Sequence, residues 1–134
     1  VPKSKQQKQQ FKVLQIGINM SAEELKIRIH NRLLKRLQNG MIKEAQRLHN
    51  KGLAFARMDV LGLEYRYLAK FLKEKISKQE LVEILDKEIW HYAKRQMTWF
   101  KKDKRIKWFK LKKAEGFIPK DEKKLTEDIK NFHK

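Results

Sequence analysis

The 134-residue chain contains no cysteine. That rules out a disulfide framework, thiol chemistry and a Cys-based zinc site. It also lacks any apolar run near the roughly 20 residues that span a bilayer. No charged, apolar and cleavage-site succession opens it, and neither an internal repeat nor a long low-complexity tract interrupts it. These absences fit a cytoplasmic protein. Histidine is scarce and scattered, at His30, His49, His91 and His133. No second ligand type clusters with them, and His91 lies four residues from Arg95, so the pattern does not suggest a metal site. No Ser-His-Asp arrangement stands out. Acidic residues are few, 16 against 34 Lys and Arg, for a net charge of +18. An imbalance of that size calls for a polyanionic partner: RNA, DNA or an anionic membrane. Without an apolar span, the membrane is the weakest of the three. The length allows one domain, or a large part of one, with a single core.

Residues 1–10 are mostly Lys and Gln and read as a disordered lead. Phe11 to Gly17 alternates apolar and polar residues and predicts one strand. Ser21-Ala-Glu-Glu24 is a capping box opening a helix, whose buried stripe is Leu25, Ile29, Leu33 and Leu37, with Gly40 as the stop. A second helix is predicted from Met41 to about Asn50, with Ile42, Ala45 and Leu48 inward and Gly52 at its end. After a loop, Val60 to Lys75 looks like one aromatic-rich helix with Gly62 near its start. Ser77-Lys-Gln-Glu80 is a second capping box and opens the longest helix, reaching about Phe100. Ile106 to Phe109 is a candidate short strand, Gly116 and Pro119 mark a turn, and Leu125, Ile129 and Phe132 define a small amphipathic helix. The fold class expected is mainly α, with one leading strand at about 11–17 and four or five helices.

On a wheel of about 100° per residue, Leu81, Leu85, Ile89, Tyr92 and Phe100 share the core side of the long helix, with Lys87, Lys94, Thr98 and Lys101 opposite and Arg95 at the border. Gln96 falls inside the apolar arc, where a buried amide needs hydrogen-bond partners. Asp86 and Glu83 read as part of a solvated face. A lysine face by itself is ordinary. The stretch from Lys94 to Lys113, however, holds ten Lys or Arg and one Asp, a local charge of +9, together with Trp99, Phe100, Trp108 and Phe109. Basic residues neutralise phosphates, and aromatic rings stack on unpaired bases. Some of these rings must be core; Phe100 and one of Trp108 or Phe109 are assigned there, and Trp99 to the ligand side. Arg28, Arg32 and Arg36 form a column at four-residue spacing. Snorkelling along a helix border is the commoner reason for such a column; the alternative is a guanidinium aimed into a cleft to hold a phosphate.

The segment Lys94-Arg95-Gln96-x-Thr98-Trp99, followed by an apolar and a basic residue, resembles the signature of the tRNA dimethylallyltransferases, or isopentenyl-pyrophosphate tRNA transferases. Arg28-Ile-x-x-Arg32, Gly40-Met-x-x-Glu44-Ala-x-x-Leu48 and Leu61-Gly-Leu-Glu-Tyr-Arg66 are similar to its other segments and stand in the same order, over roughly residues 11–109. The resemblance implies transfer of a dimethylallyl group from its diphosphate to the exocyclic amine of the adenosine just 3′ of the anticodon. It implies tRNA contacts at Lys94, Arg95, Gln96, Met97, Thr98, Trp99, Phe100 and Lys101. A second patch falls at Asp59, Val60, Leu61, Gly62, Leu63 and Glu64, and Arg32 lies at the diphosphate. The partners implied are the tRNA anticodon stem-loop, dimethylallyl diphosphate and the N-terminal half of the same enzyme, with a monomer when complete. Nucleotide binding of the ATP type is implied too, as is Mg2+, with its ligands outside this chain.

Two departures limit that expectation. Leu63 stands where the family usually has tyrosine. The family's phosphate-cradling loop, G-x-T-x-x-G-K-[ST], is absent, since no Gly-Lys-Ser/Thr occurs in the sequence. The general base of the family, an early aspartate, lies in the same missing half. The chain therefore reads as the C-terminal, helical portion of an α/β phosphate-loop enzyme, a truncated piece or a split form, inactive by itself. Its divisions are a lead over 1–10, a transferase portion over 11–116 with a tRNA-binding helix at 78–101, and a C-terminal helix over 117–134. The rivals are a noncatalytic basic RNA- or DNA-binding module and a helical interaction piece whose charge is incidental.

Overall fold

A computed structural model of the chain describes residues 11–111 and 119–132, without the side chains of 119–121. The lead over 1–10 and the turn at Gly116 lie outside the described residues. In chain order the elements are β1 (Gln15–Asn19), α1 (Ala22–Gln38), α2 (Met41–Asn50), α3 (Phe55–Leu61), α4 (Leu63–Leu72), α5 (Lys78–Phe100), β2 (Ile106–Lys110) and α6 (Pro119–Phe132). The architecture is mainly α, as the sequence pattern predicts. It divides into two compact units, a helical one over 21–100 and a second formed by the segments before and after it.

Local chemistry sets the helix ends. Ser21 Oγ accepts from the Glu24 amide at 3.2 Å, but the Glu24 carboxylate turns to Arg28 Nε at 3.1 Å instead of closing the box. At the head of α5 the box is complete: Glu80 N donates to Ser77 Oγ at 3.1 Å and Ser77 N donates to Glu80 Oε1 at 3.2 Å. Two donors that the helix leaves orphaned are thereby satisfied. The core of the helical unit is Leu33, Met41, Ala45, Met58, Leu68, Ala69, Leu81 and Leu85, all buried, with Leu37, Ile42, Tyr65 and Ile89 packed partly against it.

One expected helix is two. The segment read as continuous from Val60 to Lys75 breaks at Gly62, with φ 150° and ψ 173°, a conformation that carries a strain cost for any residue with a Cβ. The first piece, α3, starts at Phe55, in what the sequence suggested was loop, and Gly62 separates it from α4. His49 helps to place α3: its ring stacks on Phe55 at 3.7 Å between centroids, and its Nδ1 lies 2.8 Å from the Leu53 carbonyl oxygen.

In the second unit, β1 and β2 run parallel, with Gln15 opposite Ile106 and Asn19 opposite Lys110. The strand expected at about 11–17 is therefore displaced to Gln15–Asn19. Phe11 and Val13 stay exposed ahead of it, because a strand extends only as far as its partner offers backbone groups. Gly17 is required by a close approach: a Cβ built there would lie 2.5 Å from the Trp108 ring. Phe109 is buried and Trp108 half-buried. Pro119 is the first residue of α6 instead of part of a turn, a position where the missing N–H is no loss. Lys107 Nζ lies 3.5 Å from Asp128 on α6.

Candidate functional site

The two ends of α5 have different surroundings. Its first half packs on α1 and α4, so Leu81 and Leu85 are both 0% exposed. Past Ile89 that cover ends. Tyr92 is 51% exposed, Trp99 74% and Phe100 44%, so Tyr92 and Phe100 do not belong to the core as the wheel suggested. Gln96 is exposed as well, and the need to satisfy a buried amide does not arise. Periodicity identifies an apolar face but not the length over which neighbours cover it.

The uncovered stretch forms one wall of a cleft of about 680 Å³. The α5 wall is Ile89, Tyr92, Ala93 and Gln96. Facing it, α1 supplies Leu25, Ile29 and Arg32, and the break between α3 and α4 supplies Leu61, Gly62, Leu63, Glu64 and Tyr65. Six of the residues singled out in the sequence thus meet in one opening: Arg32, Leu61, Gly62, Leu63, Glu64 and Gln96. The others do not line it. Asp59 and Val60 are exposed on α3, and the Asp59 carboxylate lies 3.7 Å from Arg66 Nε. Lys94, Arg95, Thr98, Trp99, Phe100 and Lys101 are exposed and Met97 is half-buried. Thr98 Oγ1 donates to the Lys94 carbonyl at 3.0 Å, and Lys94 Nζ sits 5.9 Å from the centre of the Trp90 ring.

The arginine column resolves into three situations. Arg28 pairs with Glu24 on its own helix. Arg36 pairs with Glu64 across to α4. Arg32, between them and facing the cleft, has no carboxylate partner among the described residues. Tyr65 reinforces the α4 side: its hydroxyl donates to Glu44 Oε1 at 3.2 Å. Burial raises its pKa first, then the Glu44 hydrogen bond and the Glu44 charge.

Sequence reasoning missed Tyr92 as a wall of the cleft and the Arg36–Glu64 pair that engages one of its lining residues. A tyrosine and a glutamine four apart at the end of an apolar stripe were the signal for the first. It also placed Asp86 on a solvated face, whereas Asp86 Oδ2 lies 2.6 Å from His30 Nδ1, tying α5 to α1. Among the described residues, no three His, Cys, Asp or Glu side chains are grouped to hold a metal. No helix among the described residues is long and apolar enough to cross a membrane.

A cleft with an unengaged guanidinium, on a helical scaffold of strong positive charge, suits a phosphate-bearing ligand. The chain belongs to the IPP transferase family, whose sequence model matches residues 1–103. It is 42% identical over 92 residues to tRNA dimethylallyltransferase 2 of Pelobacter propionicus, covering 69% of this chain and 29% of that protein. It is 36% identical over 132 residues to the tRNA dimethylallyltransferase of Carboxydothermus hydrogenoformans, covering 97% of this chain and 42% of the relative. Among solved structures, it is similar to the tRNA delta(2)-isopentenylpyrophosphate transferase of Staphylococcus epidermidis. That match has a TM-score of 0.72 and 34% identity, over 88% of this chain and 38% of the other. The chain thus spans 29–42% of the length of these relatives.

Proposed function

We propose that the chain supplies the tRNA-facing wall and a diphosphate-holding arginine to an enzyme that prenylates tRNA. The reaction is transfer of a dimethylallyl group from dimethylallyl diphosphate to the exocyclic amine of the adenosine 3′ of the anticodon. The observation that carries this reading is the cleft. It brings Arg32, the Gly62 break and Gln96 of the Lys94–Trp99 segment into one opening, although they lie far apart in the sequence.

The chemistry asks for such a wall. The amine nitrogen forms a bond to C1 of the prenyl group, the C1–O bond breaks, and its electron pair leaves on the diphosphate. A fixed guanidinium stabilises the charge that grows there. Arg32 is suited to this, because no carboxylate of the described residues competes for it. The nitrogen also loses a proton. By the family resemblance the accepting aspartate, the phosphate loop and the Mg2+ ligands belong to residues outside this chain. The adenine must leave its stack to react, and the exposed Trp99 indole is suited to stack on a base displaced from the anticodon loop. The lysines and arginines around it would neutralise the backbone.

The test is prenyl transfer to an anticodon stem-loop. The isolated chain is expected to show no transfer. Joined to a phosphate-loop half of the family, it is expected to support turnover, which Arg32→Ala lowers by about 10²–10³-fold in kcat. Turnover by the isolated chain, or an Arg32→Ala variant as fast as its parent, overturns the proposal.

A further inference from the structure

Among the described residues, the one carboxylate on the wall of the cleft is Glu64, and it is engaged by Arg36. Arg36 lies one helical turn beyond Arg32 on α1, so the two guanidinium groups share a face. Glu64 sits in the first turn of α4, directly after the Gly62 break. A carboxylate there has two cationic neighbours to choose between. Pairing with Arg36 draws it toward the rim, whereas pairing with Arg32 would fill the position an anionic ligand needs. Arginine and carboxylate match each other as well as arginine and phosphate do, so an untethered Glu64 is an internal competitor.

Resting on the reading that Arg32 holds the diphosphate, we propose that Arg36 is a positioning residue: it sequesters the Glu64 carboxylate at the rim of the cleft and so keeps Arg32 open to an anion. Glu64 is then a tethered acid in place of the tRNA contact that the resemblance implies. Both side chains are partly buried, 39% and 29% exposed, which protects the pair from full solvent screening. A second tie limits where α4 can carry its acid, because Tyr65, the next residue, is anchored to Glu44 on α2.

The experiment is titration of the 134-residue chain with inorganic pyrophosphate, read by calorimetry, with circular dichroism to verify each fold. Arg36→Gln is expected to weaken binding about tenfold, the scale of a carboxylate placed against the binding guanidinium at partly screened distance. Adding Glu64→Gln to that variant is expected to recover about tenfold, whereas Glu64→Gln in a chain that keeps Arg36 improves binding about twofold or less. Arg36→Lys, which retains the cation, is expected to bind within about threefold of the parent. A simple loss of positive field predicts something else: the same gain from Glu64→Gln in both backgrounds. That result overturns the inference, as does a double variant as weak as Arg36→Gln. Binding that survives Arg32→Ala unchanged overturns instead the reading on which it rests.

Discussion

The two halves of α5 are one continuous helix with opposite circumstances. From Lys78 to Ile89 the helix opens with a complete capping box and buries Leu81 and Leu85 against α1 and α4. From Trp90 to Phe100 it carries Tyr92, Gln96, Trp99 and Phe100 into the open and lines a cleft with two of them. The residue types are alike, aliphatic and aromatic at helical spacing. The difference lies in what packs over them. The packed first half sets the direction in which the continuous second half presents its rings.

That contrast can be broken by substitution. Leu85→Ala is expected to be the most damaging change, costing about 2–5 kcal/mol of stability in denaturant unfolding. Trp99→Ala should cost the fold less than about 0.5 kcal/mol yet weaken binding of an anticodon stem-loop by about 1–3 kcal/mol. Equal stability losses for the two would erase the distinction, and an unchanged stem-loop affinity would end the stacking role. Ser77→Ala removes an N-cap and is expected to cost about 1 kcal/mol, visible as a lower unfolding midpoint with RNA affinity per folded molecule unchanged. The smallest effect belongs to the turn after α5. The Arg105 side chain and its backbone amide both donate to the Asp103 carboxylate and lower its pKa to about 2. A depressed carboxylate contributes stability that is complete above its unfolded pKa and lost as pH falls through the folded value. Arg105→Ala should return Asp103 toward the usual carboxylate range, followed by the pH dependence of its NMR shifts. An unmoved titration would show the pair to be idle.

What was legible in the sequence was local. Ser21 and Ser77 mark helix starts through bonds to residues three away, and α2 and α5 lie where the apolar spacing places them. Gly62 was read as lying near the start of one helix, but its role in ending one helix and starting another depends on Met58 and Leu68 both reaching the same core, which no local window contains. The wheel placed Tyr92 and Phe100 inward because it records which face is apolar and not which neighbours exist. The arginine column was visible as a column. Its division into paired and unpaired members depends on Glu64, 28 residues from Arg36, and so emerges only in the folded chain. The tRNA-transferase signature was read from the exact residues Lys94 to Trp99, and the family assignment bears it out.

The Trp108 ring resting on Gly17 has a consequence for how folding could be watched. The indole meets Gly17 only when β1 and β2 lie side by side, and the whole helical unit separates them along the chain. Closing so long a loop is entropically slow compared with forming helices from near neighbours. In a chain where Trp90 and Trp99 are replaced by phenylalanine, the remaining fluorescence would time the last long-range event, after the circular dichroism of the helices has already settled.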